Sequence, residues 1–284
     1  MTDSFVGILL VNTVVLSSPL VLAALGGLCS ERSGIINIAL EGIMLTAACT
    51  TAIVGVATGS ALIGLAAGVA SAVLMSLLHA LLTQAYSIDH IVSGMGINAL
   101  ALGGTNFWIK SVPELSSEKA PIFPISTYWI IAGCAVVWLA FYLRRVRGGL
   151  HLLAVGNDPD KARQMGLNPI KVRYLALAGT GVLAGLAGVL IVSNAESFSD
   201  GMTSGRGFIA LAALILGGWR PWPTLGACVL FGLFTALQLQ LQGTAILGAD
   251  IPSEAWQALP YVVTIIALAG LLGRDRAPAG LGRP

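Results

Sequence analysis

Charge is what this 284-residue chain has least of: Asp, Glu, Lys and Arg make up 10% of it, where a soluble domain carries about a quarter. With 56% hydrophobic residues and a mean hydropathy of +0.87, it lacks the polar groups to cover a water-facing surface and reads as an integral membrane protein. Cysteine is scarce too. Cys29, Cys49, Cys134 and Cys228 stand singly in or beside apolar segments, without metal or redox spacing, and read as small packing residues. The three histidines, His79, His90 and His151, have no partner set of metal-ligand type and read as interfacial, since each lies where an apolar run ends. There is no GxxxxGKS/T phosphate loop and no HExxH pair, so nothing points to ATP hydrolysis by this chain, to a resident metal or to a catalytic set. No basic patch interleaved with aromatics suggests nucleic acid. No Lys or Arg precedes the first apolar run, which is therefore expected to be a span and not a cleavable signal.

What charge there is gathers in one place. Residues 144–173 hold seven of the fifteen Lys and Arg residues (Arg144, Arg145, Arg147, Lys161, Arg163, Lys171, Arg173) against two of the thirteen acids, Asp158 and Asp160, a local charge of +5 that leaves −3 for the rest. Such a loop stays on the cytoplasmic side. Apolar runs long enough to cross about 30 Å of hydrocarbon occur near 5–28, 35–58, 60–82, 91–109, 127–143, 172–193, 223–242 and 259–273, with a shorter ninth at 207–219. Alternation from the basic loop puts 110–126 and the acidic 243–258 connection (Asp250, Glu254) outside, Arg274-Asp275-Arg276 inside and the N-terminus outside.

Glycine, 35 residues, is abundant and falls at small-xxx-small spacing in Gly55/Gly59, Gly64/Gly68 and Gly181/Gly185, where it lets helix backbones approach in lipid. Pro19, Gly103-Gly104 and the stretch 217–223 are candidate breaks inside the membrane, tolerable only where protein or water covers the freed backbone groups. A faint echo links 34–40 to 207–211, in the manner of transporter repeats. Within the basic loop, Asp158-Pro159 is an N-cap followed by proline at the first helical position, and Gly166 is placed to end the helix in a left-handed turn. Two turns, Pro159 to Met165, are therefore expected, and Asn168-Pro169 starts the next helix. A helix so short needs something to pack on.

Ionisable and amide groups inside spans usually face a cavity or a partner. Glu41 is the clearest, four residues after Asn37 and on the same helix face. It is expected either to border a pathway or to brace an irregular turn. Asn98 and Asn106 in the fourth span and Gln238, Gln240 and Gln242 in a later one are weaker candidates, because amides also serve as interhelical glue.

The runs SERSGIINIALEGIML (Ser30 to Leu45), GGLHLLAVGNDPDKARQMGLN (Gly148 to Asn168) and SGRGFIALAALILGGW (Ser204 to Trp219), with the ending LLGRDRAPAGLGRP, resemble permease subunits of bacterial ABC importers. They are most similar to the smaller permease of nucleoside-type systems, in the superfamily that includes ribose and branched-chain amino acid permeases. The resemblance covers nearly the whole chain. It implies an all-α polytopic permease in the plasma membrane, a single transmembrane domain over 1–284 with about eight to ten helices, some broken or re-entrant, and a cytoplasmic coupling loop at 144–173. It also implies partners: a second, homologous permease, a cytoplasmic ATPase that binds the ATP and Mg, and an extracytoplasmic substrate-binding lipoprotein, all in a lipid setting, with no cofactor in this chain. Carried over by position, the segment that fits the ATPase falls on Ala154, Val155, Gly156, Asn157, Pro159, Ala162 and Gly166, and the family's broken second span falls on Gly34 to Gly42, which favours Asn37 and Glu41 as pathway residues. The chain departs from the family at His151 and Leu153, where Arg is frequent, and at Gly218, where a basic residue is frequent. The implied substrate is a nucleoside, with a simple sugar as alternative. A self-sufficient secondary carrier would need coupling-ion residues, for which Glu41 alone is thin.

Overall fold

The computed structural model of the chain describes residues 5–112, 123–242, 245–246, 249–250, 258, 262, 265 and 277–283. Its helices are α1 (Phe5–Arg32), α2 (Leu40–Thr58), α3 (Ala61–Gln84), α4 (His90–Ser111), α5 (Ile125–Arg145), α6 (Arg147–Asn157), α7 (Pro159–Gln164), α8 (Pro169–Ala195), α9 (Arg206–Leu216) and α10 (Pro221–Leu241). A two-residue antiparallel pair, β1 (Ala245–Ile246) with β2 (Ala249–Asp250), follows. Among the described residues five helices are long and apolar enough to cross a membrane, or six if the bent pair α5–α6 is one span. Of the other expected spans, α4 has the length but is made more polar by Asn98, Asn106 and its glycines, α9 has only 11 residues, and 259–273 lies outside the described set apart from Val262 and Ile265, as do Arg274-Asp275-Arg276 and Glu254.

Helices α1 and α8 form the centre, packed on each other; α2 and α3 lie against α8, and α10 and α9 against α1. Lipid tails are as apolar as leucine, so the contacts rest on close fit and hydroxyl hydrogen bonds rather than on hydrophobic burial. Glycine provides the fit: a Cβ at Gly64 would come 3.0 Å from the Gly55 Cα, and one at Gly181 would come 2.5 Å from the Val73 Cα. Thr180 Oγ1 donates to the Gly26 carbonyl (2.7 Å) and Ser76 Oγ to that of Leu177 (2.6 Å), tying α8 to α1 and α3. Cys29, Cys49 and Cys228 are buried free thiols, and Cys134 is an exposed one.

Two expected breaks do not form. Helix α1 runs unbroken through Pro19, where Ser17 and Ser18 donate their hydroxyls to the Val14 carbonyl in the preceding turn, and α4 runs unbroken through Gly103-Gly104. The stretch from Gly217 does interrupt the helix: α9 stops at Leu216, Gly218 and Trp219 take positive φ (58° and 53°), and α10 begins at Pro221.

Candidate functional site

Between α1 and α2 the chain is not helical from Ser33 to Ala39, and this break is buried except at the half-buried Ile36 and Ile38. The N–H groups of Ser33, Gly34 and Ile35 turn back onto the end of α1, and other backbone groups are met from distant elements, as a non-helical stretch in a membrane protein requires. The Ser33 carbonyl accepts from Arg173 Nε (3.3 Å) and that of Gly34 from the Gly282 N–H (2.9 Å). The Ile36 N–H donates to His90 Nδ1 (3.3 Å), and the Ile36 carbonyl accepts from His79 Nε2 (3.1 Å). A carbonyl only accepts, so His79 carries a proton on Nε2, and as a neutral ring it accepts at Nδ1 from the Ser93 hydroxyl (2.9 Å). Both histidines are buried braces of the break; their placement on facing ends of α3 and α4 was the sequence signal available.

Asn37 is fully buried; its Oδ1 accepts from the Ala39 N–H (3.1 Å), while its Nδ2 has no partner. Asn98, half-buried on α4, spans the end of the break: Oδ1 accepts from the Gly42 N–H (2.8 Å) and Nδ2 donates to the Ile38 carbonyl (3.0 Å). Asn98→Leu should therefore lower the thermal midpoint of the purified protein, since it strands two backbone groups at roughly 1–3 kcal/mol each. An unchanged midpoint would show that the break does not depend on this amide.

Glu41, in the first turn of α2, reaches across to the start of α9. Its Oε1 accepts from the Gly205 N–H (2.8 Å) and its Oε2 from the Gly207 N–H (2.7 Å). These are donors that a helix N-terminus leaves without internal partners, and a carboxylate there also meets the positive end of the helix dipole. The approach needs glycine, for a Cβ at Gly207 would lie 2.6 Å from the Glu41 Cα. Glu41, the residue after the first of the two faintly similar segments, thus touches Gly207, the first residue of the second. At the other end of α9, Trp219 Nε1 donates to Glu31 Oε2 (2.5 Å) and its carbonyl accepts from Arg32 Nε (2.8 Å). Asn37, Glu41 and Asn98 thus converge on the break and its junction with α9. None of them lines the cavity of about 280 Å³ bounded by Thr46, Thr50, Met75, Thr105 and Trp108 between α2, α3 and α4.

At the end of the bundle that holds Arg32 and Arg173, α6 turns 74° away from α5 and continues into α7, forming a ledge. The sequence motif alone suggested only α7. Helix α6 buries Gly149, Leu152, Val155 and Gly156, a helical period partly written in glycine, and leaves Leu150 and His151 exposed. Helix α7 forms as its capping residues predict. Asp158 Oδ1 accepts from the Lys161 N–H (3.0 Å), Gly166 has φ +84°, and the Leu167 N–H closes on the Ala162 carbonyl (3.0 Å). The Lys161 N–H holds the Asp158 carboxyl below its usual pKa, so the cap is intact at neutral pH and is lost only as pH falls through that lowered value. Of the expected coupling residues, Val155, Gly156, Pro159 and Ala162 face the bundle, Ala154 is half-buried, and Asn157 and Gly166 are exposed.

The sequence matches the family described as branched-chain amino acid transport system / permease component over residues 9–268. It is 37% identical to the guanosine ABC transporter permease protein NupQ of Bacillus subtilis, over 96% of this chain and 94% of that one. It is 34% identical to the nucleoside ABC transporter permease protein NupC of Lactococcus lactis, over 97% and 95% respectively. The putative glucose ABC transporter permease protein TsgC13 of Haloferax volcanii is also 34% identical, over 86% and 80%.

Proposed function

The chain belongs to the family of branched-chain amino acid transport system permease components, and from that premise we propose that it forms half of the translocation pathway of an ATP-driven nucleoside importer. It is a multi-pass, all-α protein of the inner membrane. Members of such a system work with an ATPase and a substrate-binding component. Here the partners are taken to be a cytoplasmic ATPase that binds ATP and Mg, an extracytoplasmic binding lipoprotein and a second, homologous permease, with 1–284 acting as one permease domain and no chemistry assigned to it.

The observation that carries the proposal is the ledge. A self-sufficient carrier has no use for a helix pair folded across one end of the bundle, whereas an importer driven by ATP needs a surface there to receive motion. The ledge lies in the basic 144–173 loop, which by charge is cytoplasmic. Nucleosides are favoured by the two relatives named for them, each matched over nearly its full length. A simple sugar is the second reading, favoured by the relative named for glucose.

Glu41, Asn37 and Asn98 are assigned to shaping the pathway at the break, with selection left to the binding partner. Reconstituted with its partners, the complex is expected to hydrolyse ATP faster and to take up label when guanosine, adenosine or uridine is supplied with the binding protein, and to ignore ribose and glucose. Stimulation by glucose alone would move the substrate to the sugar class. Uptake without any ATPase would sink the importer assignment itself.

A further inference from the structure

Arg173 stands out among the basic residues of the 144–173 stretch because it is buried, 2% exposed, in the first turns of α8. Besides the Ser33 carbonyl, its guanidinium donates from Nη1 to Gln84 Oε1 (2.8 Å) and from Nη2 to the Arg283 carbonyl (2.8 Å). All three acceptors are neutral oxygens, on three different elements. A buried charge satisfied this way adds little to stability for its desolvation cost. What it adds is direction, because the planar guanidinium can donate along three fixed lines while a lysine ammonium sits on a flexible stem.

The segment it holds, 277–283, touches both the ledge and the break. The Gly280 N–H donates to the Gly156 carbonyl at the end of α6 (2.9 Å), and two residues later the Gly282 N–H donates to the Gly34 carbonyl in the break (2.9 Å). The backbones are pressed together: a Cβ at Gly280 would come 2.8 Å from the Gly156 oxygen and 3.2 Å from the Pro159 Cδ. Gly34, at φ +99°, takes a conformation that side chains resist, and a Cβ there would come 3.1 Å from the Gly280 oxygen and 3.2 Å from Arg173 Nη2. Leu281, half-buried, packs against the main apolar core.

We propose that Arg173 is a positioning residue of the transport cycle: with segment 277–283 it forms a strut between the α6–α7 ledge and the α1–α2 break, so that movement of the ledge is passed to the break and through Glu41 to α9. The strut rests on the importer assignment. It explains why an arginine is buried beside three carbonyl and amide oxygens at the foot of α8.

The test uses the complete complex in proteoliposomes, with Arg173→Lys, Gly282→Pro and the double variant. Gly282→Pro removes one donor from an exposed residue and cannot adopt φ +80°, so it opens the strut at the break, where within 4 Å a Cβ would meet only Ile36 Cδ1, at 3.3 Å. Each single variant is expected to keep the ATPase bound and hydrolysing while the solute moved per ATP falls by about three- to thirtyfold. The double variant should be no worse than the poorer single, as for two parts of one link. In Gly282→Pro, amide exchange should rise both at 33–39 and at 154–165. Wild-type solute per ATP in Gly282→Pro, multiplied losses in the double variant, or exchange that rises at one place only would each overturn the strut. If Arg173→Lys fails to assemble, Gly282→Pro decides alone. A wild-type complex that hydrolyses ATP without uptake would instead count against the importer assignment, and the exchange result would still decide whether the strut exists.

Discussion

Glu41→Leu is expected to bring uptake to background, the largest loss of any single substitution in the membrane-embedded part. It leaves the Gly205 and Gly207 N–H groups without their acceptor at the start of α9. Two hydrogen bonds to a charged acceptor contribute roughly 1.5–3 kcal/mol each, a large share of the roughly 5–15 kcal/mol that holds a domain folded. Glu41→Gln keeps one acceptor oxygen and places an amide NH2 against the other N–H, so it should transport weakly, with the binding protein's own affinity unchanged. Glu41→Asp, one methylene shorter, cannot span both donors from the same backbone position and should fall between the two. The order Glu, Gln, Asp, Leu belongs to a brace. A residue acting only as a charge in the pathway would instead tolerate Asp and fail with Gln and Leu alike, so measuring uptake and complex yield across the series separates the roles. Normal uptake and assembly by Glu41→Leu would exclude both.

What the sequence made legible is what is local. Asp158, Pro159, Gly166, Asn168 and Pro169 act within a few residues of themselves, and the structure places each cap where the motif puts it. Glu41 is conspicuous in an apolar run for the same reason, yet its partners are more than 160 residues away, so whether it faced solute or helix could not be read off. Helix α6 was hidden because half of its buried stripe is glycine, which carries no hydrophobic signal. Arg173 counted among the charges of a cytoplasmic loop, and only the fold brings Ser33, Gln84 and Arg283 around it. The departure at Gly218 now has a local setting: φ +58° followed by Trp219 at +53° makes a tight left-handed turn, in which glycine is the unstrained residue.

The second large effect is expected at the ledge, and its direction depends on which face is changed. Ala162 is 2% exposed on the inner face of α7, against the bundle, so Ala162→Glu would force a carboxylate into that seam or lift α7 off it. A helix of six residues has no stability of its own to resist this. Gly166→Val acts on the same element from its end, since a β-branched residue at φ +84° is strained by about 1–2 kcal/mol. Both variants should insert normally yet lose uptake by about tenfold or more, with ATP hydrolysis no longer answering to substrate, as expected when the receiving surface moves by even an ångström. Met165, 76% exposed at the C-terminal cap of the same helix, supplies the contrast. Met165→Glu should leave the thermal midpoint of the isolated chain unchanged and weaken only co-purification of the ATPase, whereas Ala162→Glu should lower both. If Ala162→Glu and Gly166→Val transport at the wild-type rate, the ledge is an ordinary solvated loop and the force enters the bundle elsewhere. If Met165→Glu alone fails to transport, the partner grips the outer face of α7, and the buried residues serve only to hold that face in place.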